Sequence, residues 1–185
     1  MLHRIFFLCL FVALYTSGSS LRCRWMDHKF RQCSENSLNL LETMANNSTN
    51  TTEDAEVTFP KDLYSQASKA SAEDKLVFTV QVLEEVSVLF EEDHSSASWE
   101  KSTVEHFLSV VTRQMDLKMI FPLFFQIGSH KKNKKLHMYF KRLLSTSLRR
   151  LSDHSAAAWE LIRKEIQTHL LRIDQLISSV LTANN

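Results

Sequence analysis

Residues 156–181 read AAAWELIRKEIQTHLLRIDQLISSVL, and this stretch decides the fold. Its large apolar residues recur at steps of three and four, which is the spacing of one face of an α-helix. The stretch therefore predicts a long amphipathic helix with a single apolar stripe. The expected stripe residues are Trp159, Ile162, Ile166, Leu170, Ile173, Leu176 and Val180. Because such a stripe has to be removed from water, other helices must pack against it.

Four earlier segments share this helical spacing, and none carries the turn residues that mark a β-hairpin. We expect helices at about residues 24–44, 72–91, 99–115 and 136–151. Ser71 and Asp74 are placed to form a capping box at one helix start, and Ser98 to cap another. A loop at 45–62 is long enough to cross a bundle from end to end. The sequence thus predicts an all-α, up-up-down-down-type bundle of five main helices with a long first crossover loop.

Residues 1–20 have the parts of a secretory signal peptide. His3 and Arg4 precede the apolar run 5–14, and small residues follow it. The run is too short to cross a membrane, which needs about 20 apolar residues. We therefore expect residues 1–20 to be removed, leaving a secreted helical domain at 21–185.

Three N-glycosylation sequons lie together in the predicted first loop. They begin at Asn46, Asn47 and Asn50. Their clustering in a polar segment behind a leader makes these asparagines candidates for glycosylation.

Composition and charge favour a single helical domain. The 185 residues are enough for one domain with a hydrophobic core and too few for two comfortable ones. Gly128 is the one glycine outside the leader, which excludes glycine-rich phosphate loops and argues against sheet-rich folds with tight hairpins. The net charge of +1 excludes a global electrostatic affinity for nucleic acid.

No group of residues in the sequence converges on a catalytic or metal site. There is no His-Glu-x-x-His motif, and Cys23 and Cys33 alone do not make a zinc site. The one match to a di-iron motif, EEDH at 91–94, lacks a second copy, so a solvated acidic cap is expected there. The histidines lie at polar positions typical of a surface role, and Glu84 and Glu85 are expected to face solvent. We predict no cofactor, no metal and no enzymatic activity.

The strongest local charge is the run HKKNKK at residues 130–135. In a cytosolic protein such a run can be a nuclear address, but behind a leader two interpretations are left. The run is either a solvated loop or a patch that contacts acidic glycans or an acidic receptor surface. The lysines concerned are Lys131, Lys132, Lys134 and Lys135.

Several short motifs occur in a defined order along the chain. Leu89-Phe90 is followed by SSASW at 95–99, then by YFKRL at 139–143 and AAWE at 157–160, and CRW stands near the mature start at 23–25. This ordered set resembles the landmarks of type I interferons, and in particular of the two-cysteine group of fish interferons. The resemblance covers essentially all of residues 21–185. Its landmark residues are Trp99, Tyr139, Phe140, Arg142, Trp159 and Glu160.

The resemblance implies an antiviral cytokine that binds two chains of a class II cytokine receptor and activates Janus kinase/STAT signalling. It implies that one receptor chain contacts the first loop and the last helix, and the other chain the second, third and fourth helices. Arg163 matches a last-helix arginine that contacts receptor in relatives, and Glu165 lies one position from the same surface. The alternative for both residues is a solvated helix surface with i,i+4 pairing.

The resemblance also implies a disulfide from the N-terminal cysteine to one just after the third helix. That place here is MIFPLFFQ at 119–126, which contains no cysteine. In one helix, Cys23 and Cys33 would lie about 15 Å apart, beyond a disulfide reach of about 7 Å. They can bridge only if the helix begins after Cys33 or its first turns unwind; otherwise both are free or pair between molecules. We hypothesise that residues 119–126 are translated intron sequence. Genomic sequence that places this segment inside an ordinary exon would contradict the hypothesis.

A second function is open on these grounds. The amphipathic helices and the phenylalanines of 119–126 are also compatible with a secreted protein that binds lipids or membranes. Co-sedimentation with liposomes separates this alternative from a receptor-binding cytokine.

Overall fold

The computed structural model describes residues 28–45, 57–116, 132–150 and 156–182, and the regular secondary structure in these ranges is entirely α-helical. The helices are α1 (28–45), α2 (Lys61–Ser68), α3 (Ala72–Glu91), α4 (Lys101–Asp116), α5 (Lys134–Arg150) and α6 (Ala156–Thr182). The all-α prediction is confirmed, and the five long helices follow the five predicted segments. The up-up-down-down order stays a prediction. So do the assignments that fall outside the described residues, which concern 1–20, Cys23, Asn46, Asn47, Asn50, 119–126 and Lys131.

α2 is a short helix that the sequence pattern did not reveal. It follows Pro60, whose carbonyl oxygen accepts hydrogen bonds from the amides of Leu63 (3.0 Å) and Tyr64 (3.4 Å). Proline is tolerated at a helix start, because the first amides of a helix have no partner within it. Leu63, Tyr64 and Ala67 are buried, and α2 packs on α3 and α6. The connection between α1 and α3 is therefore attached to the bundle at this point.

α3 and α6 together form the centre of the packing among the described helices. α6 contacts α2, α3 and α5, while α3 in turn contacts α4 and α5. All seven predicted stripe residues of α6 are buried, which confirms the stripe. Burying one such side chain completely stabilises a fold by about 1.5–3 kcal/mol, so this stripe is a large part of the driving force.

Two tryptophans join the α3–α4 connection to α6. The rings of Trp99 and Trp159 meet edge to face, with centroids 6.0 Å apart and an interplanar angle of 69°. Phe90 of α3 stacks on Trp99 at 5.7 Å and contacts Phe107 of α4 at 4.7 Å. Edge-to-face and offset-stacked pairs are the favoured geometries of aromatic rings. This aromatic cluster therefore ties three helices together.

The start of α4 differs from the prediction. Ser98 is not its N-cap, because the helix begins at Lys101. The carbonyl oxygen of Glu100 instead accepts the first helical hydrogen bonds, from the amides of Thr103 (3.0 Å) and Val104 (3.2 Å). The other predicted cap is confirmed: Ser71 Oγ accepts a hydrogen bond from the amide of Asp74 at 3.1 Å.

Asn133 caps α5 and joins it to α3. Its Oδ1 accepts hydrogen bonds from the amides of Lys135 (3.0 Å) and Leu136 (3.2 Å). Its own amide donates to Gln81 Oε1 at 2.8 Å, and Gln81 Nε2 donates to its carbonyl oxygen at 3.0 Å. The first turn of α5 is therefore fixed on α3 by a pair of reciprocal hydrogen bonds.

Replacing Asn133 tests the cap. Asn133→Ala should lower the free energy of unfolding by about 1–2 kcal/mol, because two amides of the first turn lose their acceptor. Asn133→Asp is the matched control, since its carboxylate still accepts and a negative charge is favourable at a helix N-terminus. Urea unfolding followed by far-UV circular dichroism measures both. An equal loss in the two variants would contradict the capping role.

Candidate functional site

Arg163 is buried and fully engaged within the bundle, with only 4% of its surface exposed. Its Nε donates to Glu160 Oε2 at 2.8 Å and its Nη2 to Glu160 Oε1 at 2.6 Å. Its Nη1 donates to the backbone carbonyl of Leu41 in α1 at 3.1 Å. The solvated surface that was the alternative for Arg163 is therefore wrong. A receptor contact by Arg163 stays a prediction, and the observed contacts favour a role in attaching α6 to α1.

The burial of Glu160 gives the Trp159-Glu160 landmark a physical meaning. A buried charge is costly unless it is paired and hydrogen-bonded. Glu160 offers both carboxylate oxygens to the planar fork of Arg163, the bidentate geometry that makes such pairs strong. Trp159 of the landmark therefore contributes an aromatic ring to the core, and Glu160 contributes the counter-ion of Arg163.

The ion pair predicts a non-additive loss of stability. Glu160→Gln leaves the guanidinium of Arg163 buried without its counter-ion and should cost about 3–5 kcal/mol of unfolding free energy. The double variant Glu160→Gln/Arg163→Met removes the uncompensated charge and should be more stable than Glu160→Gln alone. A double-mutant cycle from chemical denaturation measures the coupling. Purely additive losses would show that the pair is not coupled.

Glu165 belongs to a half-buried polar contact between α5 and α6. The hydroxyl of Tyr139 donates a hydrogen bond to Glu165 Oε1. Burial raises the pKa of Glu165, an effect that the Tyr139 hydrogen bond opposes. Burial also raises the pKa of Tyr139, and the acceptor on Glu165 raises it further. Among the described residues, the partner of Glu165 is thus Tyr139, on the other side of the α5–α6 interface. A receptor contact by Glu165 stays a prediction.

His169 is a completely buried histidine at the centre of the aromatic residues between α2, α5 and α6. Its Nδ1 lies 2.7 Å from the hydroxyl of Tyr64. The ring of Phe59 lies 4.8 Å from its own, and that of Phe140 4.7 Å. Desolvation lowers the pKa of His169 to about 3. The surface role expected of the histidines is therefore wrong for His169. This residue instead attaches α2 to α6.

A signal for His169 is present in the sequence. It stands three residues after Ile166 and four before Ile173, which places it on the apolar stripe of α6. A polar residue on such a stripe requires a hydrogen-bond partner inside the core. Its partner is 105 positions away in the sequence, so local spacing does not identify it.

The buried neutral His169 predicts a loss of stability in acid. The unfolded chain binds a proton on this histidine near pH 6.5, whereas the folded chain does so only near pH 3, so stability is complete above pH 6.5 and falls below it. This histidine contributes up to about 4 kcal/mol of the loss between pH 6.5 and about 3. His169→Gln should give a shallower dependence of unfolding free energy on pH.

Urea unfolding at successive pH values measures this slope, with the exposed His106→Gln as the matched control. A His169→Gln slope equal to that of the unchanged protein would contradict the assignment.

α2 lies between two open grooves. The α2–α6 groove is lined by Phe59, Lys61, Tyr64, Ser65, Ser68, Lys75, Arg172, Gln175, Leu176 and Ser179. The α2–α5 groove is lined by Thr58, Phe59, Pro60, Lys61, Asp62, Leu63, Gln66, Lys134, Lys135, Met138, Tyr139 and Arg142. Both grooves combine an apolar floor with polar or charged edges.

The acidic pair of α3 contacts the start of α5. Lys132 Nζ lies 3.0 Å from Glu84 Oε2, so this lysine of the basic run pairs with α3. Glu85 is buried, with both carboxylate oxygens 3.1 Å from His137 Nδ1, and the prediction that Glu85 faces solvent is wrong. Lys134 and Lys135 are exposed.

Cys33 is buried in α1 and is a free thiol. Burial raises the pKa of this thiol, although the charges of Arg113 and Lys29 partly oppose the shift. Since α1 begins before Cys33, a bridge to Cys23 that needs the helix to start later is not supported. Among the described residues, no group of three His, Cys, Asp or Glu side chains is placed to hold a metal ion. Within the same ranges, no helix is long and apolar enough to cross a membrane.

An all-α bundle with a long first connection packed against its last helix has the architecture of a helical cytokine. The family model of the interferon alpha/beta domain matches residues 26–180. Interferon a3 of Oncorhynchus mykiss is 33% identical over 175 residues, spanning 93% of this chain and 95% of that protein. The solved structure of zebrafish interferon 1 matches with a TM-score of 0.66 and 29% identity, covering 84% of this chain and 98% of that one. The chain belongs to the interferon alpha/beta family, with relatives among the type I interferons of teleost fish.

Family membership confirms two predictions made from the sequence. The chain is an antiviral cytokine of the helical-bundle kind, and it is not an enzyme. The alternative of a lipid-binding protein gains no support, because the apolar stripe of α6 is packed inside the bundle and the relatives are interferons.

Proposed function

We propose that the chain is secreted after removal of residues 1–20 and acts by binding two chains of a class II cytokine receptor at once, which starts Janus kinase/STAT signalling. Membership of the interferon family supports this mode of action. The observation that carries the proposal is the α2–α6 groove, which is formed by the first loop and the last helix. These are the two elements through which the resemblance implies contact with one receptor chain.

The composition of the α2–α6 groove suits a protein interface. Its floor includes Phe59 and Leu176, and its edge includes the exposed Arg172 and Gln175. Interfaces typically combine an apolar centre with a polar rim, and arginine is enriched among the residues that dominate binding. Arg172 is therefore the residue of this groove that we expect to matter most for receptor affinity.

The groove is also fixed in shape before binding. Tyr64 of α2 is hydrogen-bonded to His169 of α6, and Lys75 Nζ donates to Ser179 Oγ at 3.2 Å near one end of the groove. A surface that is already ordered loses little conformational freedom when a partner binds.

The second receptor chain is assigned to α3, α4 and α5, where Val88 of α3 is 55% exposed.

Charge reversal in the groove tests the receptor assignment. The full chain is expressed in cells, and the secreted protein is added to cells that carry the receptor. It should induce antiviral genes in these receptor-bearing cells. Arg172→Glu should reduce the potency about tenfold or more without lowering thermal stability. Lys29→Glu in α1, outside both proposed receptor surfaces, is the matched charge reversal and should keep full potency.

The same variant tests the requirement for two receptor chains. If Arg172→Glu weakens one contact only, an excess of it should occupy the other receptor chain and inhibit the unchanged protein. No induction by the unchanged protein would contradict the proposed function as a whole. Equal potency of Arg172→Glu and Lys29→Glu would contradict the groove assignment alone. Mass mapping of the secreted protein identifies the cleavage point and any glycan on Asn46, Asn47 or Asn50.

A further inference from the structure

The α2–α5 groove is strongly basic. Lys61 of α2 stands on one wall, and Lys134, Lys135 and Arg142 of α5 stand on the other, while Asp62 is the one carboxylate in the lining. All four cationic side chains are exposed. Within the described part of the chain none of them forms an ion pair, and the one side-chain hydrogen bond of Arg142 runs from its Nε to the carbonyl oxygen of Met138. The lining of the groove therefore keeps a net positive charge.

The cations follow the length of the groove. Lys134, Met138 and Arg142 are four residues apart along α5, so they share one face over about 12 Å. Lys61 faces this row from α2. An open trough with charges on both walls suits an extended, repeatedly charged chain better than a single small anion.

The position of the lysines is unfavourable for the helix itself. Lys134 and Lys135 occupy the first turn of α5, which contains no acidic residue. The N-terminus of a helix carries a partial positive charge, so cations there destabilise the helix and raise the local positive potential. Stability of α5 does not explain these residues, whereas binding of a polyanion does.

The basic run in the sequence is divided by the fold. Lys132 pairs with Glu84 of α3. Lys134 and Lys135 line one groove with Arg142, about two turns further along α5, and with Lys61, which is distant in the sequence. Clustered basic residues are typical of heparin-binding patches. We propose that the α2–α5 groove binds a sulfated glycosaminoglycan chain through Lys61, Lys134, Lys135 and Arg142. Glycosaminoglycan binding is a property separate from receptor recognition. Its biological setting rests on the proposed secretion, because the secreted cytokine would be retained at glycan-coated cell surfaces.

The experiment measures binding of the secreted full-length product to immobilised heparin. The test variant is Lys61→Gln/Arg142→Gln, whose two positions lie outside the basic run. The matched control is Lys101→Gln/Arg113→Gln, which removes two exposed charges from α4. By analogy with basic residues at an anionic membrane surface, each lost contact weakens binding about fivefold, so the test variant should bind about 25-fold more weakly. The control variant should bind as the unchanged protein does.

Further arms identify the ligand and the site. Binding should fall with salt and disappear on fully desulfated heparin, because the attraction is to sulfate charge. Equal weakening in the test and control variants would overturn the groove in favour of a general charge effect. Unchanged heparin binding by the test variant would overturn the α2–α5 groove as the site and would favour the basic run at residues 130–135. Binding to phosphatidylserine vesicles but not to heparin would overturn the ligand class.

The outcome is independent of receptor signalling. Heparin binding is measured on purified protein without cells, so it is unaffected if the receptor proposal fails.

Discussion

The removal of the α6 stripe from water is the constraint on which the rest of this structure depends. One helix presents apolar side chains to α2, α3 and α5, and α1 reaches its ends through two separate contacts. Near the start of α6, the carbonyl of Leu41 accepts from Arg163. Near its end, Phe30 packs with Ile177 and Leu181 in a small apolar cluster. The charged and polar groups along α6 are therefore arranged around a surface that must stay dry.

Two of these polar groups lie inside the core and act as connections between helices. Arg163 extends towards α1, and His169 towards α2. Each links elements that are far apart in the sequence, and each is oriented by a specific partner in a way that apolar packing alone does not provide. The hydrogen bonds of the Arg163 guanidinium replace those lost to water, and His169 has one such bond at Nδ1. Nε2 of His169 is buried without a hydrogen-bond partner among the described residues.

The sequence was sufficient for the helices, because helical spacing and capping are local properties. The stripe of α6 and the Ser71 cap were predicted from residues within a few positions of each other. The failures concern partners that are distant along the chain. Arg163 was assigned an i,i+4 surface pairing as the alternative to receptor contact, but its partners are Glu160 and a carbonyl 122 positions away. α2 was missed because eight residues after a proline give too short a pattern to recognise.

The landmarks that carry the family resemblance are mostly interior residues. Tyr139, Phe140, Trp159 and Glu160 are all buried, and Arg142 is the exposed exception. These motifs therefore report how the helices pack, and they are compatible with many different outer surfaces. The exposed residues at the edges of the grooves beside α2 are not among these landmarks, with Arg172 and Gln175 on one side of α2 and Lys134 and Lys135 on the other.

The paired hydrogen bonds between Gln81 and Asn133 also bear on how the family can diversify. They determine where α5 begins by reference to α3, without using any residue between α4 and position 132. A change in the sequence of that connection, MIFPLFFQ at 119–126 included, therefore leaves this attachment of α5 to α3 in place.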